Sequence, residues 1–401
     1  MPFCAGAALV AAGAQANPTD RCSVFTPDPS YRQSFLDNRI AQLRQEILAN
    51  GIDALIVGHL PNLFYLTKLR STAGLLVLDA VKSRLHLVID FRYETAAENL
   101  IKSGNAPRGL ELTLVIGSYE ETLARLLESL DAGRVGIEAD HTSVYRWQWL
   151  AERTSIDLVP MLQLVERHRM IKDLEEIRVM RQAGGMLAAL VQPILNVVRE
   201  GQTERVVARE IDELIVAAGF ERTAFETVVA SGPNSALPHA YPTTRRLTPG
   251  DLVVLDFGGV LHRYNVDMSR TIAIGGVTSE AERLHRAVCE AQLAAMSVVA
   301  PGGAVDAVDE AARAVLERHQ LADKFGHSTG HGLGLEIHEG PRIGRTHDDL
   351  AAVTLVPGMV FTIEPGVYVP EVGGVRIEDD VLVTDSGVDV LTPARRDLVV
   401  A

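Results

Sequence analysis

Four acidic residues stand inside stretches that otherwise read as buried β-strand, a pattern few folds can accommodate. Leu252-Val-Val-Leu255 is a short apolar run that delivers Asp256 at its end, ahead of Phe257-Gly258-Gly259. Asp267 follows eleven positions later, at the start of Met268-Ser269-Arg270-Thr271 and before another strand, Ile272-Ala-Ile274. A hairpin would bring these two carboxylates together. Glu364 sits in an apolar strand stopped by Pro365-Gly366, and Glu378 lies within a single strand predicted from Val375 through Val383. A turn Asp at a strand end, or a surface strand with Arg376 and Glu378 two apart on one face, would account for some of these residues singly. Neither accounts for Glu364 or Asp256, because a carboxylate among apolar side chains is costly to bury unless something neutralises it.

The other dense feature is His327-Ser-Thr-Gly-His331-Gly-Leu-Gly-Leu-Glu-Ile-His338-Glu339-Gly-Pro341. His327 and His331 would share one face of a helix, but Gly330, Gly332 and Gly334 oppose a helix and favour an extended, closely approached backbone. A glycine-rich surface loop with incidental histidines is the plainer alternative. One physical cause explains acids and histidine together: two divalent cations a few ångströms apart, neutralised by four carboxylates, some of them bridging. A mostly oxygen shell with one imidazole suits Mn²⁺ first, then Co²⁺ or Zn²⁺. Water held between such ions is acidified enough to attack an unactivated amide.

Composition agrees with a metallohydrolase of this kind. The 401 residues, 47% of them hydrophobic, suffice for two domains, and a net charge of −14 repels nucleic acid and anionic membrane surfaces. Cys4, Cys22 and Cys289 lack CxxC spacing, so neither a disulfide framework nor a thiolate zinc site is expected. No run is long enough to span a membrane. Ala5 to Ala16, ending in Ala-Gln-Ala before a polar stretch, resembles the tail of a secretory signal, but no Lys or Arg precedes it. Residues 1–28 are therefore read as a signal remnant or an extension, and the compartment as cytoplasmic, with export the alternative.

Residues 29–165 alternate helical and strand patterns, giving an α/β domain. Phe35 to Leu48 is helical and Ala54–Val57 is a strand; Leu75–Leu78 and Leu85–Ile89 pair across Lys82-Ser83-Arg84; Leu114-Val115-Ile116 is a further strand. The charged run Glu166 to Asp173 marks the boundary. Residues 166–401 then read as an α+β domain: a helix with Leu174, Ile177, Met180, Leu187, Val191 and Ile194 on its apolar face; a second after Thr203; a third with a Ser279/Glu282 capping box; and a fourth from Val305 to His319.

The motifs SGPNSALPH (231–239), VLDFGG and DMSRT (254–271), HSTGHGLGLEIHEGP (327–341), FTIEPGVY (361–368) and GGVRIEDD (373–380) together resemble the M24 metallopeptidases, the pita-bread enzymes that include methionine aminopeptidase, aminopeptidase P and prolidase. The resemblance implies that Asp256, Asp267, His331, Glu364 and Glu378 hold two metals, with Asp267 and Glu378 bridging. It further implies that His239 and His338 contact substrate and stabilise the tetrahedral intermediate, that His327 lines the site, and that Arg376 pairs with the ligand carboxylates. Tyr368 would line the site, and Glu364 would relay a proton to the leaving nitrogen. Pro61 to Thr67 and Val88 to Tyr93 resemble the N-terminal domain of Xaa-Pro peptidases, which methionine aminopeptidases lack. Creatinase shares the fold without the ligands, so a metal-free hydrolase or binding module is disfavoured. The implied substrate is a proline-containing dipeptide, or for an Xaa-Pro aminopeptidase a longer peptide, and the implied assembly is a homodimer. Arg245, Arg246 and Arg342 are candidate cations for the proline carboxylate. His262-Arg263, where many relatives carry glycine before the aromatic, is a departure between the two Asp motifs.

Overall fold

A computed structural model describes residues 29–345 and 353–401. The expectation for residues 1–28 lies outside the described residues. The N-terminal half is a mixed six-stranded sheet in the order β4-β3-β2-β1-β5-β6, with β1 at Ala54–Val57, β2 at Leu75–Asp79, β3 at Arg84–Ile89, β4 at Leu110–Leu114, β5 at Arg134–Glu138 and β6 at Asp157–Met161. Alternation along the strands divides its core. Leu55, Leu76, Leu78 and Leu87 pack toward α1 (Pro29–Ala49) and α2 (Leu60–Thr67). Ile56, Val77 and Val88 pack toward α4 (Tyr119–Leu130) and α5 (Val144–Arg153), while α3 (Phe91–Lys102) links β3 to β4.

One sequence expectation fails here. The strand read at Leu114–Ile116 ends at Leu114, and Ile116 is 70% exposed, because Leu110 rather than Ile116 faces the core. The charged run taken as a boundary contains helix α6 (Leu164–Met170), whose Leu164, Val165 and Arg169 are buried.

The C-terminal half begins with α7 (Leu174–Val197), capped by Asp173, whose side chain accepts from the amides of Glu175 and Glu176. Leu174, expected on its apolar face, is exposed in the first turn. Then come α8 (Glu204–Ala217), β7 (Arg222–Thr223), β8 (Val228–Ser231), β9 (Leu252–Leu261), β10 (Tyr264–Ala273), α9 (Ser279–Ser297) and α10 (Val305–Arg318). Thr278, not Ser279, caps α9, its hydroxyl accepting from the Ala281 amide. The remaining strands are β11 (Gly330–Gly332), β12 (Glu339–Ile343), β13 (Val360–Ile363), β14 (Gly366–Val369), β15 (Gly373–Arg376), β16 (Asp379–Thr384), β17 (Gly387–Val390) and β18 (Val399–Val400). One sheet runs β18-β10-β9-β7 with β8 also on β9, a second runs β12-β11-β13-β16-β17, and β14 and β15 form a ribbon.

The β9–β10 hairpin is longer than the sequence suggests, with ten residues in each strand. Val253, Leu255 and Phe257, with Val266, Met268 and Ile272, pack into the core built with α7 and α8. Period-two alternation therefore sends Asp256 and Asp267 to the opposite face. Gly258 and Gly259 leave no space: a Cβ would come within 2.4 Å of Val266 O at the first and of the Phe220 ring at the second. The two-residue turn has φ of +48° at His262 and +72° at Arg263, as a type I′ hairpin requires. Arg263 tolerates this left-handed backbone while its guanidinium stacks over Phe64, 5.0 Å from the ring centre, tying the hairpin tip to α2.

Candidate metal centre

Every residue singled out for the site lines one cleft of about 1080 Å³: His239, Asp256, Asp267, His327, His331, His338, Glu364, Tyr368, Arg376 and Glu378. The hairpin register sets the first pair. Asp267 opposes Gly258 and Ser269 opposes Asp256, so the carboxylates are diagonal neighbours on one face. Asp256 is thus a mid-strand residue rather than a strand end, and Asp267 likewise lies inside β10. Glu364 directly follows β13, its amide donating to Thr329 O at 2.7 Å. Glu378 corrects another expectation, since the strand read from Val375 to Val383 is broken. Ile377 and Glu378 connect β15 of the ribbon to β16 of the second sheet, and the Glu378 amide donates to Ser269 O at 3.1 Å. Gln292 secures that break from below, its amide nitrogen donating to Ile363 O, Ile377 O and Asp379 Oδ2.

His331 is held in β11 between β12 and β13. Glycines flank it because those strands press close: a Cβ on Gly330 would sit 1.9 Å from Thr362 O and one on Gly332 2.0 Å from Gly340 O. The glycines make room for strands rather than for substrate. His331 Nδ1 lies 3.1 Å from Gly332 O, which makes Nδ1 the protonated nitrogen and leaves the Nε2 lone pair directed into the cleft. That lone pair faces Glu364 Oε1 at 3.6 Å and Asp267 Oδ2 at 3.9 Å.

Electron-rich atoms converge here. Donor atoms of Asp267, His331 and Glu378 all lie within 4.8 Å of one another. Asp256 Oδ1, Asp267 Oδ1 and Glu378 Oε1 are buried without a hydrogen-bond partner. Burial, then repulsion from Glu378, Asp256, Asp380 and Glu364, holds the Asp267 carboxyl well above the ordinary range. Burial and the charges of Glu364 and Asp256 do the same for Glu378, and burial pushes Glu364 up to about 8. Burial lowers His331 to about 4, His338 adding to it, so its ring is neutral and fit to be a ligand. Arg376 is the internal cation, donating to Asp256 Oδ2 at 2.6 Å and to Ser269 Oγ at 2.8 Å. Four carboxylates and one guanidinium sum to −4 + 1 = −3, which two divalent ions bring close to neutral. The donor set fits that demand: oxygen-rich, one imidazole, and orphaned lone pairs aimed inward.

The surrounding side chains fix one another. Arg376 Nη1 donates to Tyr368 Oη at 3.1 Å, so the Tyr368 hydroxyl is left to donate to His327 Nε2 at 2.9 Å. His327 Nδ1 in turn faces Ser328 O at 2.8 Å, and burial brings this ring down to about 4, consistent with a neutral acceptor. His338 is exposed at the rim, its ring edge-on to His331 with centroids 4.3 Å apart. His239 is also exposed on the cleft wall.

Sequence reasoning missed Ser269 and Asp380. Ser269 donates to Glu378 Oε2 at 2.7 Å, and Asp380 Oδ2 accepts from the Asp267 amide at 3.0 Å. The signal for Ser269 was its spacing of two from Asp267, which puts both on one face. A second cluster, His59, His141 and Glu166, also gathers metal-type donors. Its two imidazoles stack with centroids 3.6 Å apart and planes 11° apart, so their in-plane lone pairs run parallel and cannot converge on one ion.

Comparison with known proteins extends over nearly the whole chain. Residues 39–171 match the creatinase/prolidase N-terminal domain, and residues 178–385 match metallopeptidase family M24. A Pyrococcus horikoshii protein named Xaa-Pro dipeptidase is 31% identical over 91% of this chain and 99% of its own. The structure of an Xaa-Pro dipeptidase from Bacillus anthracis superposes with a TM-score of 0.85 at 31% identity, covering 91% of this chain and all of that one. An X-Pro aminopeptidase structure from Thermotoga maritima gives 0.79 at 28% identity, covering 88% of this chain and 98% of that one. The orphaned carboxylates therefore have a settled family context: the chain is a hydrolase of metallopeptidase family M24, with the divalent-metal chemistry that family implies and a creatinase/prolidase N-terminal domain before its pita-bread catalytic domain.

Proposed function

We propose that this enzyme cleaves the Xaa–Pro bond of dipeptides, and that Asp256, Asp267, His331, Glu364 and Glu378 would hold the two divalent ions it uses. Mn²⁺ suits the oxygen-rich set best. When bound, such ions supply an acidified water nucleophile and polarise the scissile carbonyl. The protein's own groups do the rest. His338, at the rim beside His331, donates a hydrogen bond to the carbonyl oxygen as charge builds there, and His239 supports the substrate from the facing wall. Glu364 transfers a proton to the departing proline nitrogen, which as a tertiary amide has none of its own. Arg376 pairs with Asp256 and orients Tyr368, which with His327 forms the substrate wall. A homodimer belongs to the same reading.

The observation that carries dipeptide specificity is Arg342. It lines the cleft, with Nε donating to Ser328 Oγ at 2.9 Å. Of the other candidates, Arg245 is bound bidentately by Asp251 and Arg246 donates to Gly201 O, and neither belongs to the cleft wall among the described residues. A guanidinium here suits a free proline carboxylate better than a continuing chain. The relatives named Xaa-Pro dipeptidase favour the same reading; the one named X-Pro aminopeptidase supplies the alternative.

With Mn²⁺ present, Ala-Pro and Met-Pro are expected to be hydrolysed far faster than Ala-Pro-Yaa tripeptides. Arg342→Met should raise KM for dipeptides by about 10- to 100-fold at nearly constant kcat, the loss of one charged hydrogen bond worth about 1.5–3 kcal/mol. Release of the first residue from tripeptides as efficiently as from dipeptides, with Arg342→Met neutral, would overturn this in favour of the aminopeptidase.

A further inference from the structure

The turn that carries His338 is gripped by the N-terminal half of the molecule. Arg169, on α6, is 2% exposed although it is one of the longest side chains in the protein. Its Nη2 donates to Glu336 Oε2 at 2.8 Å and also to Glu339 Oε2, while Nη1 donates to Asn62 Oδ1 on α2 at 2.7 Å. Lys172 Nζ donates to Glu339 Oε1 at 2.9 Å, and the Glu336 amide approaches Glu339 Oε2 at 3.3 Å. His59 Nε2 stands 3.1 Å from Glu336 Oε1. Asn62 is fixed in its own right, donating to Glu138 at 2.7 Å and Glu166 at 2.6 Å.

Two cations and two carboxylates thus neutralise one another inside the interface between the halves, on either side of His338. The side chains approach the backbone closely: a Cβ on Gly334 would lie 2.6 Å from Glu339 Oε1, and one on Gly340 2.7 Å from the Met170 methyl. Burial would raise the Glu339 carboxyl, but Lys172 and Arg169 outweigh it and hold it below its usual range. His338 itself is exposed, with the edge of His331 as its ring contact, so where its ring can reach is set chiefly by the backbone between Glu336 and Glu339.

We propose that Arg169, through Glu336 and Glu339, is a positioning residue for His338, so that the N-terminal domain contributes to turnover from outside the cleft's chemistry. This rests on the role given to His338 above. A displacement of about 1 Å in a reacting or stabilising group costs on the order of 100-fold in rate. Releasing the clamp should therefore act on kcat rather than on metal binding.

The test is a double-mutant cycle on the Mn²⁺-loaded enzyme. Arg169→Met and, as a milder change that keeps shape, Glu339→Gln are each made in the wild-type and His338→Ala backgrounds, with kcat, KM and bound metal measured for all. In the wild-type background Arg169→Met should lower kcat by about 100-fold and Glu339→Gln by a smaller factor, with KM and metal content little changed. In the His338→Ala background both should cost less than about threefold, because the group they position is gone. Equal fold losses in the two backgrounds, or losses that track metal content, would overturn the clamp while leaving His338's role intact. Wild-type turnover by His338→Ala would overturn that role itself, and the clamp with it.

Discussion

Replacing Glu364 with alanine is expected to lower turnover about 10³-fold or more, a rise of roughly 4 kcal/mol in the barrier, while the chain stays folded. The fold does not depend on this side chain. The Glu364 backbone amide bonds Thr329 O, which alanine preserves, and β13 is anchored by buried Val360, Phe361 and Ile363. What disappears is one of the carboxylates converging on His331 Nε2, and with it a proton carrier. His331→Ala should match it, because β11 is set by backbone pairing and flanking glycines rather than by the imidazole. Metal analysis and circular dichroism on both variants separate loss of ligand from loss of fold. Turnover within tenfold of wild type for either would refute the ligand set. Without metal, Glu364→Ala should be more stable than wild type at pH 8 and above, where the wild-type carboxyl must ionise inside a repelling cluster.

The second large effect is on stability. Asp267, Glu364 and Glu378 have folded-state values above their unfolded ones, Glu364 at about 8. Such groups bind more protons folded than unfolded, so their contribution is full below about pH 4 and is lost as pH rises through the folded value. His327 and His331, both lowered to about 4, act in the opposite sense, losing stability as pH falls from about 6.5 to 4. Above pH 6.5 the histidine effect is spent and the effect of these carboxylates dominates. Chelated enzyme should therefore melt several degrees lower at pH 8 than at pH 6.5, a difference of a few kcal/mol. Cations replace the missing protons, so the loaded enzyme should be nearly flat over that range and the gain from metal should grow with pH. A chelated protein whose melting temperature is constant or rises between pH 6.5 and 8 would show that these carboxylates are not packed as described.

What could be read from the residues alone follows physical lines. Asp256, Asp267, Glu364 and Glu378 announced themselves as charge where apolar patterning demanded none, His327, His331 and His338 as a dense run among glycines, and His239, Tyr368 and Arg376 only through their motifs; the structure brings all of these into a single cleft. The same signal misplaced their elements. Asp256 looked like the end of a strand because a buried acid interrupts an apolar run, yet β9 continues to Leu261, its acid paired with Arg376. Glu378 looked mid-strand because Val375, Ile377, Val381 and Val383 are all apolar and buried, and the pattern does not register a chain changing sheets between them. The clamp was invisible for another reason. Arg169 meets Glu336 and Glu339 across 167 and 170 residues of chain, and no local periodicity encodes such a pairing.

The β9–β10 hairpin has an implication for how this centre can vary. Asp256 and Asp267 share a face only because the span between them, turn included, preserves the two-residue repeat on both strands. A single residue gained or lost on either side of the turn would invert one carboxylate into the apolar core, whereas paired changes would shift the spacing and keep the face. The hairpin thus obeys a parity rule: its length is free to drift only in even steps, and the metal centre's geometry is quantised by the sheet that bears it.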